Sequence, residues 1–163
     1  MGTDPIFLDS RKKGSVPVRR IARSAIVECS PRQVYDLVED IESYPQFLPW
    51  CVATQVRERT PGRTVATIVV GTPLPQAFTT ENTNVPGDSI DMRLLEGPFR
   101  TFEAHWKFAA LGTAGTKIEF AIAYEFADPI AAMALERLFD HIAGTMLDAF
   151  TRRAERLYAK PAR

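Results

Sequence analysis

The side chains able to do chemistry in this sequence are few and scattered. Histidine is the residue whose proton exchange falls nearest neutral pH, and there are two, His105 and His141. Neither has a second ligand at metal-binding spacing, so no metal site is expected. No G-x-S-x-G elbow, phosphate loop or G-x-G-x-x-G turn occurs, and no catalytic residue is assigned. Cys29 and Cys51 form neither a CxxC pair nor a disulfide framework and are read as reduced, buried thiols. Asp36, Glu39, Asp40 and Glu42 form an acidic group, read as a solvated face. Tyr124 lies on an apolar segment face, where its hydroxyl could bond a ligand carbonyl; the other reading is a core tyrosine with an internal partner. Thr80 is the remaining polar candidate for the interior. Arg93 and Arg100 border Gly97-Pro98, where they could meet a polar head group or lipid phosphate, or serve only solubility.

The elements that must position these residues follow from period and punctuation. Val18–Cys29 reads as a first strand, stopped by Ser30-Pro31, an N-cap followed by proline at the first helical position. Val34, Leu37, Val38 and Ile41 then follow at helical spacing. From Trp50 the period becomes two, predicting strands at about 51–60, 63–71, 76–84, 89–96, 99–109 and 116–127. Pro61-Gly62, Pro86-Gly87-Asp88, Gly97-Pro98 and Gly112–Gly115 are the turns between them. Phe102, Ala104, Trp106 and Phe108 alternate with polar neighbours, as do Ile118, Phe120, Ile122, Tyr124 and Phe126 with polar or small ones, so one sheet face should be covered. Asp128 and Pro129 open the last element, a helix over about 129–158 ended by Pro161. Leu135, Phe139, Ile142, Met146, Phe150 and Leu157 form its apolar stripe.

This order predicts an α+β helix-grip fold, a seven-stranded antiparallel sheet wrapped around a long C-terminal helix. The 163 residues suit one domain at 17–160, with 1–16 as a flexible or appended tail. Twenty basic residues balance twenty acidic ones, which gives no global argument for nucleic acid, and DNA is not an expected partner. No run approaches the roughly 18 apolar residues of a membrane span. A meander brings Tyr44–Cys51, Gly71–Gln76, Gly97-Pro98 and Ala127–Pro129 to one end, a proline-stiffened rim carrying Phe47, Leu48, Trp50 and Leu74. This rim reads either as a ligand mouth or as ordinary loop capping. Under the helix, Phe78, Met92, Phe102, Trp106, Phe120, Tyr124, Phe139, Ile142, Met146 and Phe150 are candidate ligand-binding residues, or core if they fill the space.

The run Asp40-Ile41-Glu42-Ser43-Tyr44-Pro45-Gln46-Phe47-Leu48-Pro49-Trp50-Cys51 resembles the YPxFLPxC motif of a known group. Phe78-Thr79-Thr80, Leu95–Phe99, Trp106-Lys107-Phe108 and Ala149–Ala154 match its further blocks in order. That group is the coenzyme Q-binding START-like family, which includes the ribosome association toxin and oligoketide cyclases, and the resemblance covers about Val18–Tyr158. It implies a helix-grip fold and a lipophilic small molecule as ligand, ubiquinone or a similar polyprenyl lipid, with no cofactor required. Three roles remain open: a quinone carrier or chaperone supporting respiration, a toxin that binds the large ribosomal subunit, and a polyketide cyclase or aromatase. The last would be an enzyme and needs an acid–base pair in the cavity. A carrier implies a cytoplasmic protein, peripheral at the inner membrane, with transient membrane contact. One departure is Glu81, where relatives carry a basic residue.

Overall fold

The structure, a computed structural model, describes residues 18–71 and 75–158. The N-terminal tail, Leu74 and Pro161 lie outside the described residues. Strand β1 (Arg19–Val27) leads into helix α1 (Pro31–Glu39) and a 3₁₀ helix over Ile41–Gln46. Six strands follow: β2 (Cys51–Thr60), β3 (Arg63–Val70), β4 (Gln76–Val85), β5 (Ser89–Glu96), β6 (Phe99–Leu111) and β7 (Gly115–Phe126). The chain then forms helix α2 (Pro129–Tyr158).

All neighbouring strands are antiparallel, in the order β1-β7-β6-β5-β4-β3-β2. The hairpins give the meander. The first strand returns to pair with the last, from Arg19 opposite Tyr124 to Val27 opposite Thr116. The predicted helix-grip order is therefore the observed one, with strand ends shifted by one or two residues, as expected where ends fray.

Local chemistry explains the helix starts. Ser30 Oγ accepts the Gln33 amide at 3.1 Å while the Ser30 amide donates to Gln33 Oε1 at 3.0 Å, a reciprocal capping box ahead of Pro31. Asp128 Oδ1 accepts the Ala131 amide at 2.8 Å and starts α2 in the expected place. The buried stripe of α2 is Leu135, Phe139, Ile142, Ala143, Leu147, Phe150 and Ala154. Leu157 does not belong to it and is 50% exposed. Four residues beyond Ala154 the partly buried side is Tyr158, so the stripe passes Leu157 by one position.

The outer sheet face is not bare everywhere. Val65, Thr67 and Thr79 are buried on it. Thr67 and Thr79 share a hydrogen bond at 2.7 Å, and Arg57 Nε donates to Thr67 Oγ1 at 2.8 Å. Beside them Glu81 is held by Arg63 at 2.6 Å and by Arg93 at 2.8 Å. Long side chains thus cover part of a face that alternation alone marks as solvated.

Candidate functional site

Between α2 and the inner face of the sheet lies an enclosed, almost wholly apolar cavity of about 40 Å³. Trp50, Phe78, Met92, Phe102, Trp106, Phe120, Phe139, Ile142 and Met146 line it, all from the candidate set. Tyr44, Ile68, Ala104 and Ile122 complete the wall. Ile68, Ala104 and Ile122 carry no signal of a pocket beyond the alternation that already makes them core, whereas Tyr44 stands at the start of the rim segment and is turned inward by the 3₁₀ helix. Cross-strand pairing builds the floor, with Met92 opposite Ala104, Ala104 opposite Ile122, and Trp106 opposite Phe120. The rings of Trp106 and Phe120 lie 4.6 Å apart.

The remaining candidates sit around this space. Phe150 packs under the wall, 5.2 Å from Trp106 and 5.1 Å from Phe47 by ring centroids. Phe47 is itself half-covered, with the Arg153 guanidinium 4.9 Å from its ring. Leu48, expected to look outward from the rim, is only 1% exposed and belongs to the core. The 3₁₀ helix explains it, because its final turn folds the Leu48 amide back onto the Tyr44 carbonyl at 2.9 Å. Tyr124 does not open into the cavity either. Its hydroxyl donates to Asp140 Oδ1 at 2.7 Å, and Asp140 also accepts from Arg19 Nε at 3.2 Å. Burial foremost, then the Asp140 carboxylate, pushes the Tyr124 phenol above the usual tyrosine range. Tyr124 is thus a core tyrosine with an internal partner.

The rim segments do meet at one end. The Gly71 amide donates to the Trp50 carbonyl and the Ala127 amide to the Pro98 carbonyl, each at 3.0 Å. Gly97, at φ +154°, permits the closest approach, since a Cβ there would stand 2.6 Å from Phe78 Cβ on the cavity wall. The charged candidates are engaged elsewhere. Arg93 pairs with Glu81, and Arg100 donates to the Ala127 carbonyl at 3.2 Å. The acidic group is no bare solvated face: Glu39 and Glu42 both grip Arg59, at 3.0 and 2.6 Å, and Arg32 pairs with Asp36 at 2.9 Å. The Arg59 hydrogen bond, first among the causes, pulls the Glu42 carboxyl below its ordinary value. His105 lies on the outer face against Asp91 at 2.7 Å. Both cysteines are free and buried. Among the described residues no cluster of potential metal ligands occurs, and no helix is long and apolar enough to cross a membrane.

A sheet gripping one long helix over an apolar cavity defines a lipid-transport and cyclase class of domain. The family model described as polyketide cyclase / dehydrase and lipid transport matches residues 27–151, and the chain belongs to that family. It is 44% identical over 140 residues to the ribosome association toxin RatA of Pseudomonas aeruginosa, covering 85% of this chain and 96% of that one. It is 27% identical to the mitochondrial coenzyme Q-binding protein COQ10 homolog B of Xenopus laevis, over 85% of this chain and 59% of that one. Among solved structures, the Zhui aromatase/cyclase from Streptomyces sp. R1128 superposes with a TM-score of 0.75 at 19% identity, covering 85% of this chain and 94% of that one. That likeness is one of fold.

Proposed function

We propose that this domain holds an elongated lipophilic ligand of the polyprenyl quinone class between α2 and the inner sheet face, as a carrier rather than a catalyst. The enclosed apolar cavity carries this reading. Its walls offer an isoprenoid tail about 0.8 kcal/mol per methylene removed from water. At about 40 Å³ it has room for a water or two, far below the roughly 300–1,000 Å³ of a drug-sized site. Binding therefore requires the walls to part. Met92 on β5 and Met146 on α2 give that wall two unbranched, adaptable side chains. The test is titration with a short-tailed ubiquinone. Saturable quenching of indole fluorescence is expected in the parent, with weaker quenching in Trp106→Phe, and quenching that never saturates rejects the reading.

A second reading, contact with the large ribosomal subunit, is favoured by 44% identity to a ribosome association toxin across nearly its whole length. Among the described residues, a groove at Phe47 and Pro49 bordered by Arg152, Arg153 and Arg156 is suited to phosphate. Arg153 is fixed there by Gln46 Oε1 at 3.2 Å. Co-sedimentation with the large subunit in a sucrose gradient, lost in Arg153→Glu/Arg156→Glu, supports it; sedimentation only with free protein removes it.

A further inference from the structure

We propose that Asn82 and Asn84, on the inner face of β4, form a hydroxyl-recognition site beside the cavity, so that the ligand held there bears an O–H rather than only carbonyl or ether oxygens. This rests on the reading of the cavity as a lipophilic ligand site. Phe78 lines the cavity, and strand alternation places Thr80, Asn82 and Asn84 on the same face. These three are 1%, 3% and 6% exposed. Asn82 lies opposite Met92, itself a wall residue, and Asn84 opposite Ile90. A polar row therefore continues directly from the apolar wall toward the C-terminal end of α1.

Hydrogen-bond bookkeeping in this row leaves a specific demand. Arg59 Nε and the Thr64 hydroxyl both donate to Glu39 Oε2, at 3.0 and 2.7 Å. A carboxylate accepts, so the single Thr64 proton is committed to it, and Thr64 Oγ1 must accept from an N–H. Asn84 Nδ2 supplies that N–H at 3.0 Å, which fixes which end of the amide faces Thr64. The opposite end, Oδ1, is buried and has no partner among the described residues. Burying an acceptor without a donor is costly, so such an atom in a native interior calls for one. Two residues along the same face, Asn82 Oδ1 accepts from the Thr80 hydroxyl at 2.9 Å, and Asn82 Nδ2 has no hydrogen bond among the described residues. A buried acceptor with no partner and a donor that only solvent reaches thus stand on alternate residues of one strand. A hydroxyl can donate to Asn84 and accept from Asn82; a quinone carbonyl or an ether can only accept. Within the quinone class, the reduced quinol has the matching head.

A pair of probes differing in that single proton tests this: para-decylphenol and its methyl ether, titrated calorimetrically into the parent protein. The phenol is expected to bind about ten-fold tighter or more, as for a site built to bond a hydroxyl. Asn84→Leu should erase the preference while leaving the ether within about two-fold of its parental affinity. Asn82→Leu should shrink it. Saturable binding of both probes with equal affinity in the parent overturns the inference and leaves the lipophilic site standing, since solvent then satisfies the pair. Saturable binding of neither removes the site together with the inference. The parent comparison decides even where a variant does not fold.

Discussion

At the scale of single residues the molecule is a set of buried hydroxyls held by specific acceptors. Tyr44 donates to the Val38 carbonyl inside the core, and Tyr124 to Asp140 on α2. Burial, foremost, pushes both phenols above the ordinary tyrosine range, and it raises Tyr35 and Tyr158 as well. Cys51 is pushed up to about 11 by the same cause. The sign follows from linkage. The unfolded phenol loses its proton near pH 10 while the folded one keeps it, so the contribution is complete below about pH 10 and lost as pH rises toward the folded value. The melting temperature should therefore begin to fall above about pH 8.5, where the unfolded Cys51 thiol ionises, and fall more steeply beyond about pH 10 as the unfolded phenols follow. Tyr44→Phe should lower stability at neutral pH by about 1 kcal/mol for the lost hydrogen bond and make the alkaline decline shallower. An unchanged slope in Tyr44→Phe/Tyr124→Phe would assign that decline to other groups. Of these contacts only the phenol of Tyr124 was legible in the sequence, with two readings. Its partner lies 16 residues further on, across a strand–helix packing that no local pattern encodes. Asn82 and Asn84 were hidden for a related reason. A polar residue in an alternating strand reads as outward-facing, and only the phase set by Phe78 reverses that.

Elements were far more legible, because each announces itself by a period and a stop signal. The hairpin strands were visible in alternation, and α2 in its cap and its stripe. The error at Leu157 is instructive. Seven residues after Phe150 is nearly two turns, but the buried side advances through Ala154 to Tyr158, which at about 100° per residue lies more than a quarter-turn past Leu157. Ala154, the residue actually buried on that side, is too small to stand out in an apolar count. The two positions therefore make a sharp comparison. Phe150→Ala should cost about 3–5 kcal/mol, as for a large ring removed from a packed core. Leu157→Ala should stay within about 0.5 kcal/mol of the parent. Urea denaturation measures both, and a large loss at Leu157 would mean that the last turn of α2 is docked differently.

At the scale of the whole molecule, charges among the described residues pair locally, such as Arg59 with Glu39 and Glu42 or Glu81 with Arg63 and Arg93. Function then turns on one mechanical fact, that the helix grips the sheet with little space between. Protein interiors are close-packed, and on the proposed reading a cavity of about 40 Å³ must widen before it takes an elongated ligand. The apparent affinity is the intrinsic one reduced by the fraction of that open form. Shortening a wall residue on α2 should raise that fraction. Ile142 lines the cavity and is buried in the α2 stripe. Ile142→Ala should lower the stability of the unliganded protein by about 2–5 kcal/mol, the cost of an enlarged cavity. It should also associate faster with a short-tailed ubiquinone and bind it more tightly. Because a ligand stabilises only the state it binds, saturating quinone should raise the melting temperature of Ile142→Ala by more than that of the parent. A variant that is destabilised but gains no more from quinone than the parent would show that the ligand does not enter between α2 and the sheet.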